Sequence, residues 1–117
     1  MIETEPAKLY RKANEAGLWA LQVCTPSPMN VTDGVQVWHE TEGMCGFAWV
    51  NIKPARGPLV AYLKSQDIGR TDDYYGGYTV WVHEGNQSVD RKRAYAAAFA
   101  KVLRDAGLEA YAHSRLD

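Results

Sequence analysis

Six residues have the types and placing to hold an anion: Lys53 and Arg56 ahead of the Gly57-Pro58 helix start, His83, Ser88 and Arg91 after a later strand, and Arg115 near the chain end. Exposed N–H groups at a helix N-terminus and the helix dipole both favour negative charge, so cations beside such ends suit a phosphate or carboxylate. Asn86 and Gln87 extend this polar rim, and His83-Glu84 adds an acid and a base. Adjacent strand residues point to opposite faces, however, which weakens that pair as a catalytic unit. Neither Walker A spacing nor Gly-x-Gly-x-x-Gly is present, and ordinary polar helix caps account for the same residues.

A second group follows from the two-residue period of strands. Phe47, Trp49 and Asn51 share one face, as do Thr79, Trp81 and His83, and Glu109, Tyr111 and His113. The alternate residues are Ala48, Val50 and Ile52, then Val80 and Val82, then Leu108, Ala110 and Ala112. One face is thus aromatic and polar, the other aliphatic. An uncovered aromatic face would let Trp49, Trp81 and Tyr111 stack nucleobases or anchor a protein, whereas a covering first helix would make it a second buried layer. A third candidate is the basic stripe Arg93, Lys101 and Arg104 on the last helix, which would meet phosphates or an acidic protein but also reads as a solvated helix face.

No metal site or cofactor is expected, because His39, His83, His113, Cys24 and Cys45 lack compact ligand spacing. Asp72-Asp73 reads as turn chemistry beside Gly76-Gly77. The two cysteines lack Cys-x-x-Cys spacing and read as reduced core thiols.

The elements that must position these residues follow from periodicity and punctuation. Thr4 caps a short amphipathic helix, Ala7 to Ala16, that Gly17 ends. Leu18 to Cys24 reads as a strand, Thr25-Pro26-Ser27-Pro28 as a loop, and Val35 to His39, entered through Asp33-Gly34, as a second strand. Phe47 to Ile52 is the third; Pro58 opens a helix carrying Leu59, Tyr62 and Leu63 that stops at Gly69; Tyr78 to His83 is the fourth. The last helix, about Val89 to Ala106, puts Tyr95, Phe99 and Leu103 on one face and ends at Gly107-Leu108, before a final strand from Leu108 to His113.

The order α-β-β-β-α-β-α-β describes an α+β domain with an α/β-like C-terminal half, built on a single-layer mixed sheet of about five strands. If crossovers join strands within one sheet, those beginning at Phe47, Tyr78 and Leu108 are mutually parallel, which would gather Lys53, Arg56, His83, Ser88, Arg91 and Arg115 at one sheet edge.

The 117 residues, 46% hydrophobic and 23% charged, suit one domain over 1–117 and not two. A formal charge of −1 supplies no strong field toward nucleic acid or acidic partners. Apolar runs fall short of a membrane helix and the N-terminus is acidic, so membrane partners are not expected and a cytoplasmic location is.

Cys45-Gly46-Phe47-Ala48-Trp49-Val50, Tyr75-Gly76-Gly77, Gln87-Ser88 with Arg91-Lys92, and Ala110-Tyr111-Ala112 with Ser114-Arg115-Leu116-Asp117 resemble a group of small uncharacterised proteins of tailed phages and prophages. The likeness spans Met44 to Asp117. It implies a viral accessory protein acting inside a bacterial host, in the host cytoplasm, with inhibition of a defence or housekeeping protein as one role; the residues favour stoichiometric binding to a host protein or nucleoprotein complex, with nucleic acid left open as a partner. The residues admit one alternative, a small enzyme or ligand-binding domain taking a phosphorylated or nucleotide ligand at the sheet edge. The absence of a compact catalytic motif favours binding.

Overall fold

The computed structural model describes residues 3–26, 29–32, 37–40, 44–85 and 88–116. Ser27 and Pro28 of the expected loop, the Asp33-Gly34 turn, Val35 and Gln36, Asn86 and Gln87, and Asp117 lie outside the described residues. Three helices and six strands follow in the order α1 (Glu5–Val23), β1 (Met29–Thr32), β2 (Val37–Glu40), β3 (Gly46–Lys53), α2 (Pro58–Ser65), β4 (Arg70–Thr71), β5 (Tyr78–Trp81), α3 (Val89–Asp105) and β6 (Glu109–Leu116).

Helix α1 starts as expected, with Thr4 Oγ1 accepting from the Ala7 amide and Pro6 in the first turn. It does not stop at Gly17, and the strand expected from Leu18 to Cys24 is helical as far as Val23. Gly17 is a packing residue: a Cβ there would lie 2.7 Å from two ring carbons of Tyr95. The missing side chain lets α1 close onto α3, and the inward residues Leu9, Ala13, Gly17 and Leu21 continue the helical period through the glycine. The Tyr95 hydroxyl donates to Asn14 Oδ1, and burial pushes its phenol well above the usual tyrosine range.

Helix α3 matches its reading at both ends. Ser88 Oγ accepts from the Arg91 amide at the start. At the finish Leu108 N–H donates to Leu103 O and Gly107 N–H to Arg104 O, with Gly107 at φ +91°, which is a Schellman end. Helix α2 ends the same way but ahead of Gly69, with Asp67 in the left-handed region at φ 57° and Ile68 N–H donating to Leu63 O.

Strands β1 and β2 form a separate antiparallel pair. The main sheet has four strands, not five, in the order β4-β5-β3-β6, and every neighbouring pair is antiparallel. This overturns the mutually parallel arrangement expected for the strands at Phe47, Tyr78 and Leu108, because the Phe47 strand runs against the other two. The crossover units are β3-α2-β4 and β5-α3-β6, so β3 runs parallel to β4 and β5 to β6, each with one strand between. The two-residue β4 is too short to show any periodicity, and the hairpin after it reverses the chain before β5. Residues 46–116 thus have split β-α-β, or ferredoxin-like, connectivity.

Alternation sorts the sheet's two faces, although Asn51 and Thr79 of the aromatic face are buried as well and Ala112, expected under the helices, is exposed. Ala48, Val50 and Ile52, Tyr78 and Val80, and Ala110 are buried on the side of the helices, in one cluster with Ala96, Phe99, Ala100 and Leu103 of α3 and Leu59, Val60 and Leu63 of α2. Helix α1 packs against α3 and α2: Tyr10 meets Tyr62 and Phe99 with ring centroids 6.1 and 5.9 Å apart. It therefore does not cover the aromatic face.

Candidate functional site on the open sheet face

Direct register sets the aromatic residues in a row. Trp81 on β5 pairs with Trp49 on β3, which pairs with His113 on β6. The Trp81 and Trp49 rings are 4.8 Å apart and tilted at 44°, and those of Trp49 and His113 are 5.8 Å apart and stacked at 22°. The next row carries Arg70, Thr79, Asn51 and Tyr111 across all four strands. Apart from Tyr111, these residues line a groove of about 940 Å³, walled by the β4–β5 loop and bordered by Lys53, Arg70 and Arg115.

Hydrogen bonds fix the loop wall. Asp72 Oδ1 accepts from the amides of Tyr74 and Tyr75, both at 2.9 Å, and Oδ2 accepts from Thr79 Oγ1 at 2.9 Å. Asn51 Nδ2 donates to Gly76 O at 2.8 Å and to Thr79 Oγ1 at 3.4 Å. The Asp72 carboxylate is thus turn chemistry, as expected, and it presents Tyr74 and Tyr75, 85% and 63% exposed, as an edge-to-face pair beside the groove.

The amide of Tyr75, helped by Thr79, the Tyr74 amide and nearby Arg70, holds the Asp72 carboxyl below its ordinary range. A depressed folded-state value means that the carboxylate stabilises the loop above the unfolded value and ceases to do so as pH falls through the folded one. The amide resonances of Tyr74 and Tyr75 are therefore expected to shift together on acidification, with a midpoint below the ordinary aspartate value of about 3.9. A midpoint at or above that value, or unchanged resonances in Asp72→Ala at neutral pH, would contradict this role.

The expected anion site is not assembled. With antiparallel strands, Lys53 and Arg56 lie at one end of β3, while His83, Ser88, Arg91 and Arg115 lie at the other, roughly 23 Å away along an eight-residue strand. Ser88 is 3% exposed and caps α3. Arg91 donates to the carbonyls of Leu21 and Cys24, satisfying backbone acceptors at the end of α1, which has no basic residue in its own last turn. His83 is exposed, with its amide bonded to Glu84 Oε2. Arg56 lies outside the groove. Of these six residues, Lys53 and Arg115 reach the open face, at its two ends.

The basic stripe is tied down within the chain. Arg93 donates to Ser114 Oγ at 2.8 Å, Lys101 pairs with Asp105 at 2.9 Å, and Arg104 donates to Ala110 O and lies over the Tyr111 ring. Of the expected partner residues, the structure gathers Trp49, Trp81 and Tyr111 on one face, and Arg93, Lys101 and Arg104 on the back or edge. Cys24 and Cys45 are free thiols, but neither is a core residue: Cys24 is half-buried and Cys45 exposed.

Sequence reasoning misses Arg70, Tyr74 and Tyr75 as parts of the site. The Asp72 to Gly77 turn is visible in the residues, but without β4 there is no hairpin to swing it over Trp81. Among the described residues no cluster of three His, Cys, Asp or Glu is arranged for a metal, and no helix is long and apolar enough to cross a membrane.

No protein-family model, curated protein or solved structure matches this chain.

Proposed function

We propose that the protein acts by stoichiometric binding and that the open face of the sheet receives the partner. The row of Trp81, Trp49 and His113 on the side of the sheet away from the helices carries this reading. Trp49 and Trp81 are half-buried in the groove floor; large aromatic groups that a fold leaves partly on its surface mark interaction sites, and Trp and Tyr anchors dominate binding energies when a partner desolvates them. The back-face cations are a poorer candidate, because each has an intramolecular hydrogen-bond or ion-pair partner. The proposal extends to a partner in an infected bacterial cell, with inhibition as the consequence of binding.

The test is affinity capture from bacterial lysate on the immobilised full chain, with nuclease-treated and untreated samples side by side. Trp81→Ala is expected to weaken retention of the partner by at least about 2 kcal/mol, roughly 30-fold, as for an interface anchor. Arg93→Glu with Lys101→Glu is expected to retain it. If Trp81→Ala holds the partner as well as the natural chain does, the sheet face is not the binding surface.

A further inference from the structure

We infer that the occupant of the open face is a single-stranded nucleic acid, its bases laid on Trp81, Trp49 and His113 and its phosphates met by Lys53, Arg70 and Arg115. The inference rests on the reading of the sheet face as the binding surface and names what fills it.

The lining chemistry selects this occupant. Among the described residues no Ala, Val, Leu, Ile or Met lines the groove: its apolar surface comes chiefly from aromatic rings, and the rest is polar or charged. A protein partner is held at the centre of an interface by side chains buried in desolvated pockets. A broad, polar groove floored by aromatic rings offers instead what unpaired bases use, a stacking platform beside cations that track the backbone.

Charge placement agrees. Arg70 stands in register with Thr79 on the edge strand, Lys53 closes β3 and Arg115 lies two residues beyond His113, so cations border the aromatic row on three sides. The acids lining the groove, among the described residues, are Asp72 and Asp73. Both oxygens of Asp72 are engaged by the loop amides and Thr79, which directs that charge into the turn. Tyr74 and Tyr75, at the rim, add two more exposed rings within reach of a strand leaving the groove.

A duplex does not fit this platform, since its base faces are hidden in its own stack and the row of rings has no free base face to stack on. Preference among bases is expected to be weak. Stacking accepts any base, and Asn51, the amide on the floor, already donates to Gly76 and Thr79.

The experiment measures fluorescence anisotropy of labelled twelve-nucleotide oligo(dT) and oligo(U), and of a twelve-base-pair duplex, against the full chain over a salt series. Both single strands are expected to bind saturably and the duplex at least tenfold more weakly. Trp81→Ala is expected to lose about 5- to 160-fold in affinity, the equivalent of ~1–3 kcal/mol for one stacked base. Trp81→Phe keeps a π-face and is expected to hold most of the affinity, which separates stacking from a general loss of structure. Arg70→Ala is expected to lower the steepness of log K against log salt by about 0.7, the increment for one phosphate contact on a single strand. Absence of saturable strand binding, equal binding of duplex and strand, or a Trp81→Ala variant that binds like the natural chain would overturn the inference. If strands fail to bind while Trp81 still governs capture of a nuclease-resistant partner, the occupant is a protein, and only the nucleic-acid assignment falls.

Discussion

Truncation of Phe99 to alanine is expected to destabilise the protein by about 3–5 kcal/mol, the range for a buried aromatic residue that leaves a cavity. Phe99 is 1% exposed and central to the helical side of the sheet. Its ring meets Tyr10 of α1 edge-on and Tyr95 of α3 in a stacked arrangement, each at 5.9 Å. Removing it therefore unseats two helices together. A domain of this size has about 5–15 kcal/mol in all, so the loss takes a large share of the stability. Urea denaturation of Phe99→Ala beside Phe99→Leu measures it. The leucine variant is expected to lose less, and an alanine cost below about 1.5 kcal/mol would mean that the packing around Phe99 collapses freely into the space.

The second large effect is expected at Gly77, which joins the loop wall to β5. Its φ is +75°, and a Cβ would lie 2.7 Å from Ile52 O and 2.9 Å from Asn51 Oδ1. Gly76, the residue before it, has φ +78°, but a Cβ there would meet nothing within 4 Å. The two alanine variants therefore separate conformational strain from collision. Gly76→Ala is expected to cost about 1 kcal/mol, the lower end for a non-glycine residue in this region. Gly77→Ala is expected to cost about 2–4 kcal/mol, since strain is joined by a clash with backbone that cannot swing aside. It also displaces Asn51, so oligonucleotide affinity is expected to fall with stability. Equal melting behaviour for the two variants would show that the β3–loop contact is looser than the geometry requires.

How far the chain can be read from its residues depends on how many residues carry each signal. Helix α3 is legible because two signals agree, the Tyr95, Phe99 and Leu103 stripe and the Gly107-Leu108 end, while its cap is Ser88 where the residues offer Ser88 or Asp90. The division of Trp49 from Val50, and of Trp81 from Val80, is legible because strand alternation needs only local sequence. Gly17 misleads because a glycine that ends a helix and one that admits a neighbouring ring look alike until the ring is known. Arg91 misleads for a similar reason: its carbonyl partners lie 70 and 67 residues away. The site does not assemble at the expected edge because the strand directions hang on β4, two residues with no period to detect.

The two-residue period of β3 also constrains how this protein can change by descent. Loss of one codon within Gly46–Lys53 would exchange the two faces of the strand beyond it, turning tryptophan toward the helices and valine toward solvent. Insertions and deletions there are closed to selection. Single replacements at positions 49, 81, 111 and 113 leave the helical side intact, so a lineage can retune what the face recognises one residue at a time while inheriting the same scaffold.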